Sequence, residues 1–183
     1  MANLDTFVSN LAGGGARANQ FTVTISGGAA PGGMAAVPFL CRSAQIPAMT
    51  IGEVAVPYRG RQVFVAGDRT FDAWTITVFS DAAMALRKSF ETWQNNIARA
   101  GTGFDATHGA LSTSQYYATA HVVQQYRIGV PASSYKLIDV WPQTVDAVDL
   151  AWDTNDAIME FGVTLRFNGM EGGGAGGGGA AFT

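Results

Sequence analysis

Alternation with a period of two recurs along this chain and limits what it can fold into. Phe21, Val23 and Ile25 are spaced by Thr22, Thr24 and Ser26; Trp74, Ile76 and Val78 by Thr75 and Thr77. Phe161, Val163, Leu165 and Phe167 alternate in the same way with Gly162, Thr164 and Arg166. Side chains two apart on an extended backbone share a face, so each stretch predicts a strand with one apolar and one polar face. Such strands suit antiparallel sheets that bury one side. The pattern holds in part over 116–127, where Ala120, Val122 and Tyr126 oppose Thr119, His121 and Gln125. It continues at 135–141, which Pro142 is expected to end. Val148, Leu150 and Trp152 alternate as well, and the turn residues Thr154-Asn155-Asp156 predict a hairpin with 160–167. Residues 37–42 read as a return strand for 21–26, joined through the Gly-rich tip 27–33.

Two stretches carry helical spacing instead. Leu4, Phe7, Val8 and Leu11 predict a short helix over 3–11, stopped by Gly13-Gly14-Gly15. Ala83, Leu86, Phe90, Trp93 and Ile97 predict a helix over 82–99, capped by Ser80 or Asp81 and ended by Gly101 and Gly103. The expected fold is α+β and mainly β: an antiparallel barrel or sandwich of six or more strands with one flanking helix. One domain spans 1–183, with a helix and Gly-rich link at 1–19, a core at 20–168 and a flexible Gly-rich tail at 169–183.

Residues 45–67 fit neither period. Pro47 and Pro57 argue against a long helix or a central strand. Yet Ile51, Val54, Val56, Tyr58, Val63, Phe64 and Val65 make the stretch apolar. A long connection of this kind does not lie free in water, so it reads as an extended arm that packs on another subunit. Composition points the same way. Charged residues are 14% of the chain, where a soluble domain carries about 25%. A free monomer normally keeps a charged surface, so low charge implies outer surface covered by other chains. The net charge of −3 disfavours a surface that grips phosphates. No signal peptide is visible, and no apolar stretch reaches the roughly 18 residues of a membrane span. The single cysteine, Cys41, follows Phe39-Leu40 and reads as a small strand residue in a reducing compartment rather than a nucleophile.

No residues assemble into a catalytic, cofactor or metal constellation. There is no Gly-x-Ser-x-Gly turn, and His108 and His121 are the only candidate imidazole bases. Asp105 and His108 could touch one ion, but two ligands do not make a site. Gly101-Thr102-Gly103 follows a helix rather than a strand and lacks the geometry that cradles phosphate. Asp149, Asp153, Asp156 and Glu160 lack the calcium-loop spacing and read as a solvated hairpin end. The chain is expected to be no enzyme, with no cofactor.

One longer stretch is distinctive. It runs from Pro57-Tyr58-Arg59-Gly60-Arg61 through Ala66-Gly67-Asp68-Arg69-Thr70-Phe71 to Trp74 and the alternating Thr and Val beyond it. Val140-Trp141-Pro142 with Val145 follows, then Leu150-Ala151-Trp152-Asp153-Thr154-Asn155-Asp156 leading into Phe161–Leu165. In this order the segments resemble the tail tube proteins of contractile phages over most of residues 20–168. Gly67, Asp68, Arg69, Thr70, Phe71, Trp74, Trp141, Pro142, Trp152 and Asp153 carry the resemblance. It implies a β-barrel-like subunit assembled into hexameric rings that stack into a hollow tube. Implied partners are other copies of the chain, the sheath, baseplate, tail terminator and tape measure proteins, with DNA as transient cargo and no membrane insertion. The implied location is the virion, after assembly in the host cytoplasm. About four strands from each of six subunits would give roughly 24, enough for a wide bore when 16–18 strands already hold an aqueous channel. Six copies at −3 carry −18 per ring, which suits a conduit along which DNA must slide. The inner tube of a bacterial contractile injection or type VI secretion machine is the alternative. A small α+β enzyme or carbohydrate-binding module is the reading from a different class.

Overall fold

The computed structural model describes residues 16–27, 32–98, 116–126, 131–152 and 157–172, with Leu4, Phe7 and Ser9 ahead of them. In chain order the elements are β1 (Phe21–Ser26), a 3-10 turn (Gly32–Ala36), α1 (Val37–Leu40), β2 (Cys41–Ala44), β3 (Met49–Tyr58) and β4 (Arg61–Phe71). Then follow β5 (Trp74–Phe79), α2 (Ala85–Ile97), β6 (Ala118–Gln125), β7 (Pro131–Val145), β8 (Glu160–Arg166) and β9 (Gly169–Gly172). Seven strands form one antiparallel sheet in the order β1-β6-β7-β8-β5-β2, with β9 also on β7; β3 and β4 pair only with each other.

β7 is the strand that joins the two halves of the sheet. Its first part pairs with β6 and β9, and its last part with β8. Trp141 opposes Arg166 and Ile138 opposes Gly169, so β8 and β9 follow one register along the same edge of β7. The register between β6 and β7 slips between Ala118 and Ala120, where Asp139 adopts a left-handed φ of 58°. An extra residue in that conformation makes a β-bulge, which bends a strand. The break between β8 and β9 falls at the same level: the Asn168 N–H donates to the Ile138 carbonyl at 3.1 Å.

The inward faces meet in one core. Val23 and Ile25 of β1, Trp74, Ile76 and Val78 of β5, Phe161, Val163 and Leu165 of β8, and Ala118, Ala120 and Val122 of β6 are all buried there. α2 closes it with Leu86, Phe90 and Trp93. Phe90 lies 6.4 Å from the Trp93 ring and 6.4 Å edge-on from Phe161. The Trp93 N–H donates to the Tyr116 carbonyl at 3.0 Å, so the buried indole keeps a partner.

The mainly β, antiparallel architecture agrees with the alternation, but several pairings differ. β1 pairs with β6, not with residues 37–42. Over 37–40 the chain coils, because Pro38 suits the first turn of a helix, and Met34 and Val37 turn inward as core cover, while Cys41 and Arg42 do extend, in β2 against β5. α2 starts at Ala85 rather than 82, since Met84 sits at a φ of 52° that a helix cannot include. Asp81 still caps it, its carboxylate accepting the Ala85 N–H at 2.9 Å. Pro142 does not end β7. β6 pairing stops at Val140, so one edge of β7 is open where proline lacks its donor. Residues 148–152 are not a strand: β8 already uses one edge for β5 and the other for β7. β4 ends at Phe71 and β5 opens at Trp74, where the alternation begins. Residues 169–172, read as tail, are β9. Leu4, Phe7 and Ser9 are helical, with Leu4 and Phe7 exposed. The rest of the helix over 3–11, most of the tip 27–33, Gly101, Gly103, Asp105, His108 and residues 173–183 lie outside the described residues.

Phe90→Ala removes a ring buried between α2 and β8, and we expect a loss of about 3–5 kcal/mol and a fall in melting midpoint of roughly 10 °C. A midpoint within about 2 °C of the parent would show that α2 does not close the core. Deleting 173–183 removes no residue of the strand pairings above, so the melt should stay cooperative; a broad, non-cooperative transition would show that these pairings are not sufficient for the fold.

Candidate functional site

β3 and β4 form a ribbon that leaves the body of the protein. Tyr58 pairs with Arg61, and Arg59 and Gly60 between them have φ values of 45° and 78°. Two left-handed residues in succession make the type I′ turn, whose twist matches the flanking strands. Val54 opposes Val65 and Val56 opposes Val63. These four valines, with Tyr58, share one face of the ribbon, while Phe64 points to the other. The valines are 45–53% exposed, and Ile51, Tyr58 and Phe64 are exposed too. An isolated two-stranded hairpin is marginally stable in water even without such an apolar surface.

The root of the ribbon is tied to the core. Trp74, the first residue of β5, is fully buried, and its indole N–H donates to the Gln45 carbonyl at 2.7 Å. Gln45 lies just before β3 and Trp74 just after β4, so one hydrogen bond holds both legs together. Phe71 at the foot of β4 packs against Phe167, the rings tilted by 47° with centroids 5.2 Å apart. Where the ribbon bulges, between Ile51 and Glu53, Gly52 and Gly67 face each other. A Cβ on Gly67 would lie 3.2 Å from the Gly52 carbonyl oxygen, a close approach that favours glycine on β4, whereas one on Gly52 would meet the Asp68 backbone at an ordinary 3.4 Å.

The seven arm residues named from sequence thus fall on one ribbon. The ten residues that carry the family resemblance do not form a single site. Gly67 and Phe71 shape the ribbon, Trp74 anchors it, and Asp68, Arg69 and Thr70 are exposed along β4. Trp141 and Pro142 lie in β7, Pro142 buried opposite Leu165. Trp152 is 102% exposed in the connection to β8, and Asp153 lies outside the described residues. Sequence reasoning missed the hairpin itself. The signal was present in Arg59-Gly60 flanked by alternating valines. It also missed the exposure of Leu150 and Trp152, because their alternation with Val148 imitates a strand, and that of Ile158.

The polar faces of the sheet carry little charge. Thr24 opposes His121, Thr75 opposes Thr164, and Thr77 opposes Gly162. Lys136 pairs with Glu171 at 3.2 Å and Arg42 with Glu160, both at the surface, where such pairs add little stability. Burial pushes the Cys41 thiol up to about 11, only partly offset by a hydrogen bond with the Ser43 backbone, so it stays protonated at neutral pH. Among the described residues, no group of three His, Cys, Asp or Glu side chains could hold a metal ion. No helix among them is long and apolar enough to cross a membrane.

A sequence model of the family described as phage tail tube protein matches residues 16–169. The tail tube protein gp19 of Enterobacteria phage T4 is 34% identical over 132 residues, covering 71% of this chain and 78% of that one. Among solved structures, the sheath-tube complex of an extracellular contractile injection system contains a similar chain, at a TM-score of 0.64 and 10% identity. That likeness covers 90% of this chain and 96% of the other. A chain in the sixfold-symmetrised baseplate of the anti-feeding prophage gives a TM-score of 0.63 at 14% identity, covering 87% of this chain and 96% of that chain. The low identities establish a shared fold. The family match over most of the domain and the T4 relative establish more: the chain belongs to the phage tail tube protein family and is a structural component of the virion.

Proposed function

We propose that this chain builds the inner tube of a contractile phage tail, as hexameric rings stacked into a hollow conduit through which DNA is ejected into the host. The role is structural, with no catalytic step and no cofactor. The observation that carries this reading is the valine face of the ribbon. Val54, Val56, Val63 and Val65 form a two-strand apolar surface that the subunit itself leaves uncovered. Covering such half-exposed side chains contributes about 1 kcal/mol each, enough to matter in an assembly where every subunit repeats the contact. Ile51, Val54, Val56, Tyr58, Val63, Phe64 and Val65 are on this account inter-subunit residues. The sixfold baseplate that contains a similar chain supports the ring order. The sheath-tube complex supports a sheath as outer partner, and baseplate, terminator and tape measure proteins complete the tail. A net charge of −3 per subunit keeps the conduit from holding the DNA that passes it.

Val54→Asp and Val63→Asp each place a charge on the uncovered face without touching the core. Each variant should melt like the parent and yet fail to form tubes, with assembly reduced at least about tenfold, as seen by sedimentation and negative-stain electron microscopy. Normal tubes from either variant would remove the ribbon from the interface.

A further inference from the structure

The break between β8 and β9 holds an asparagine that differs chemically from the others in the chain. There are seven asparagines, and Asn168 alone precedes a glycine. Asparagine is a thermolabile residue, because the backbone nitrogen that follows it can attack its side-chain amide carbon. A side chain on the following residue hinders that approach, and glycine has none. Local structure then decides whether the pair can react. Asn95 and Asn96 lie inside α2, where the hydrogen-bonded backbone resists the rearrangement. Asn168 instead occupies the bend between two strands, and it is exposed.

Its surroundings determine what a change at this side chain does. Asn168 Nδ2 donates to the Tyr117 hydroxyl at 3.2 Å and to the Asp139 carboxylate at 3.5 Å. Asp139 is the left-handed residue of the β7 bulge, and the Asn168 N–H donates to the carbonyl of Ile138 beside it. One residue thus ties the break between β8 and β9 to the bulge in β7, through its backbone and through its side chain. Beyond it, β9 is four residues long and pairs with β7 alone.

We propose that Asn168 is a site of spontaneous deamidation, with water as the co-reactant, and that the product weakens this joint. The Gly169 nitrogen attacks the Asn168 side-chain carbonyl carbon. A new C–N bond forms, the bond to Nδ2 breaks, and ammonia leaves with the proton that Gly169 gives up. The cyclic imide then takes up one water at either carbonyl and opens to aspartate or to isoaspartate. Nothing is oxidised or reduced: one nitrogen departs as ammonia and one oxygen arrives from water. The donor that faced Asp139 becomes a second carboxylate, so attraction turns to like-charge repulsion. Tyr117 adapts, since its hydroxyl donates as well as accepts. Asp139 has no such freedom. The isoaspartate form also lengthens the main chain by one carbon at the bend.

The site is tested by incubating the folded, full-length protein at mildly alkaline pH, then mapping peptides by mass and scoring isoaspartate. Conversion at Asn168 should exceed that at every other asparagine at least about tenfold, and Gly169→Ala should slow it by a similar factor. The added methyl group would meet Ile138 at an ordinary 3.7 Å, so this variant should melt like the parent. An Asn168 that stays an amide, or that converts no faster than the others, overturns the site. So does an undiminished rate in Gly169→Ala. If that variant melts below the parent, the parent's pH series decides. The rate should climb with pH because the attacking nitrogen must lose its proton, and a pH-independent rate overturns the reaction. The consequence is read from Asn168→Asp, whose melting midpoint should fall by about 2–4 °C. Asp139→Asn, which a left-handed backbone accepts, should restore most of that loss. An unchanged midpoint, or an equal fall in the Asp139→Asn background, overturns the charge conflict. None of these measurements depends on tube assembly.

Discussion

A buried indole N–H must find an acceptor, and in this protein the one on Trp74 finds it at the root of the ribbon. The Gln45 carbonyl accepts at 2.7 Å, a bond whose loss would leave a polar group stranded in the core at a cost of about 1–3 kcal/mol. The constraint reaches in two directions. Inward, Trp74 sits with Ile76 and Val78 in the layer that β5, β8 and α2 share. Outward, it fixes where β3 begins and β4 ends, and so the position of a projection too apolar to be stable alone. A ribbon whose two strands pair only with each other is thereby carried on one of the most buried residues.

The sheet supplies the rigid body on which this projection stands. β7 belongs to both halves, and the Asp139 bulge lies opposite the break between β8 and β9, so both strands change direction at one level. Bending there lets the inward faces of β1 and β6 meet those of β5 and β8 around a common core. Charge plays a small part in that arrangement: among the described residues no charged side chain is buried. The low charge of the chain instead has its counterpart on the outside, in the hydroxyl-rich strand faces and the valine face of the ribbon.

How much of this was legible in the sequence depended on whether the information was local. The alternations at 21–26, 74–79 and 160–166 report which face each strand buries, and they read correctly because a strand's pleat alone sets that period. Partners did not read, because pairing is decided by which edges are free. β1 reaches across the chain to β6, and β8, flanked by β5 and β7, leaves residues 148–152 without an edge to join. Nor is the left-handed Met84 that delays α2 visible in a periodicity. At the site, the arm and its apolar residues were evident from Pro47, Pro57 and the hydrophobic content between and after them. Its folding into a hairpin depended on Arg59-Gly60, a weaker turn signal than Asn-Gly. The exposure of Trp152 contradicts its alternating neighbours and becomes apparent only once the sheet's edges are assigned.

The central claim is that the ribbon is uncovered in the subunit and covered in the tube. Amide hydrogen exchange over Met49–Phe71, measured on dispersed subunits and on assembled particles, tests it most directly. The account predicts fast exchange along the ribbon in the subunit and strong protection in the particle, with little change in β5 and β8. Equal exchange across the ribbon in the two states would contradict it.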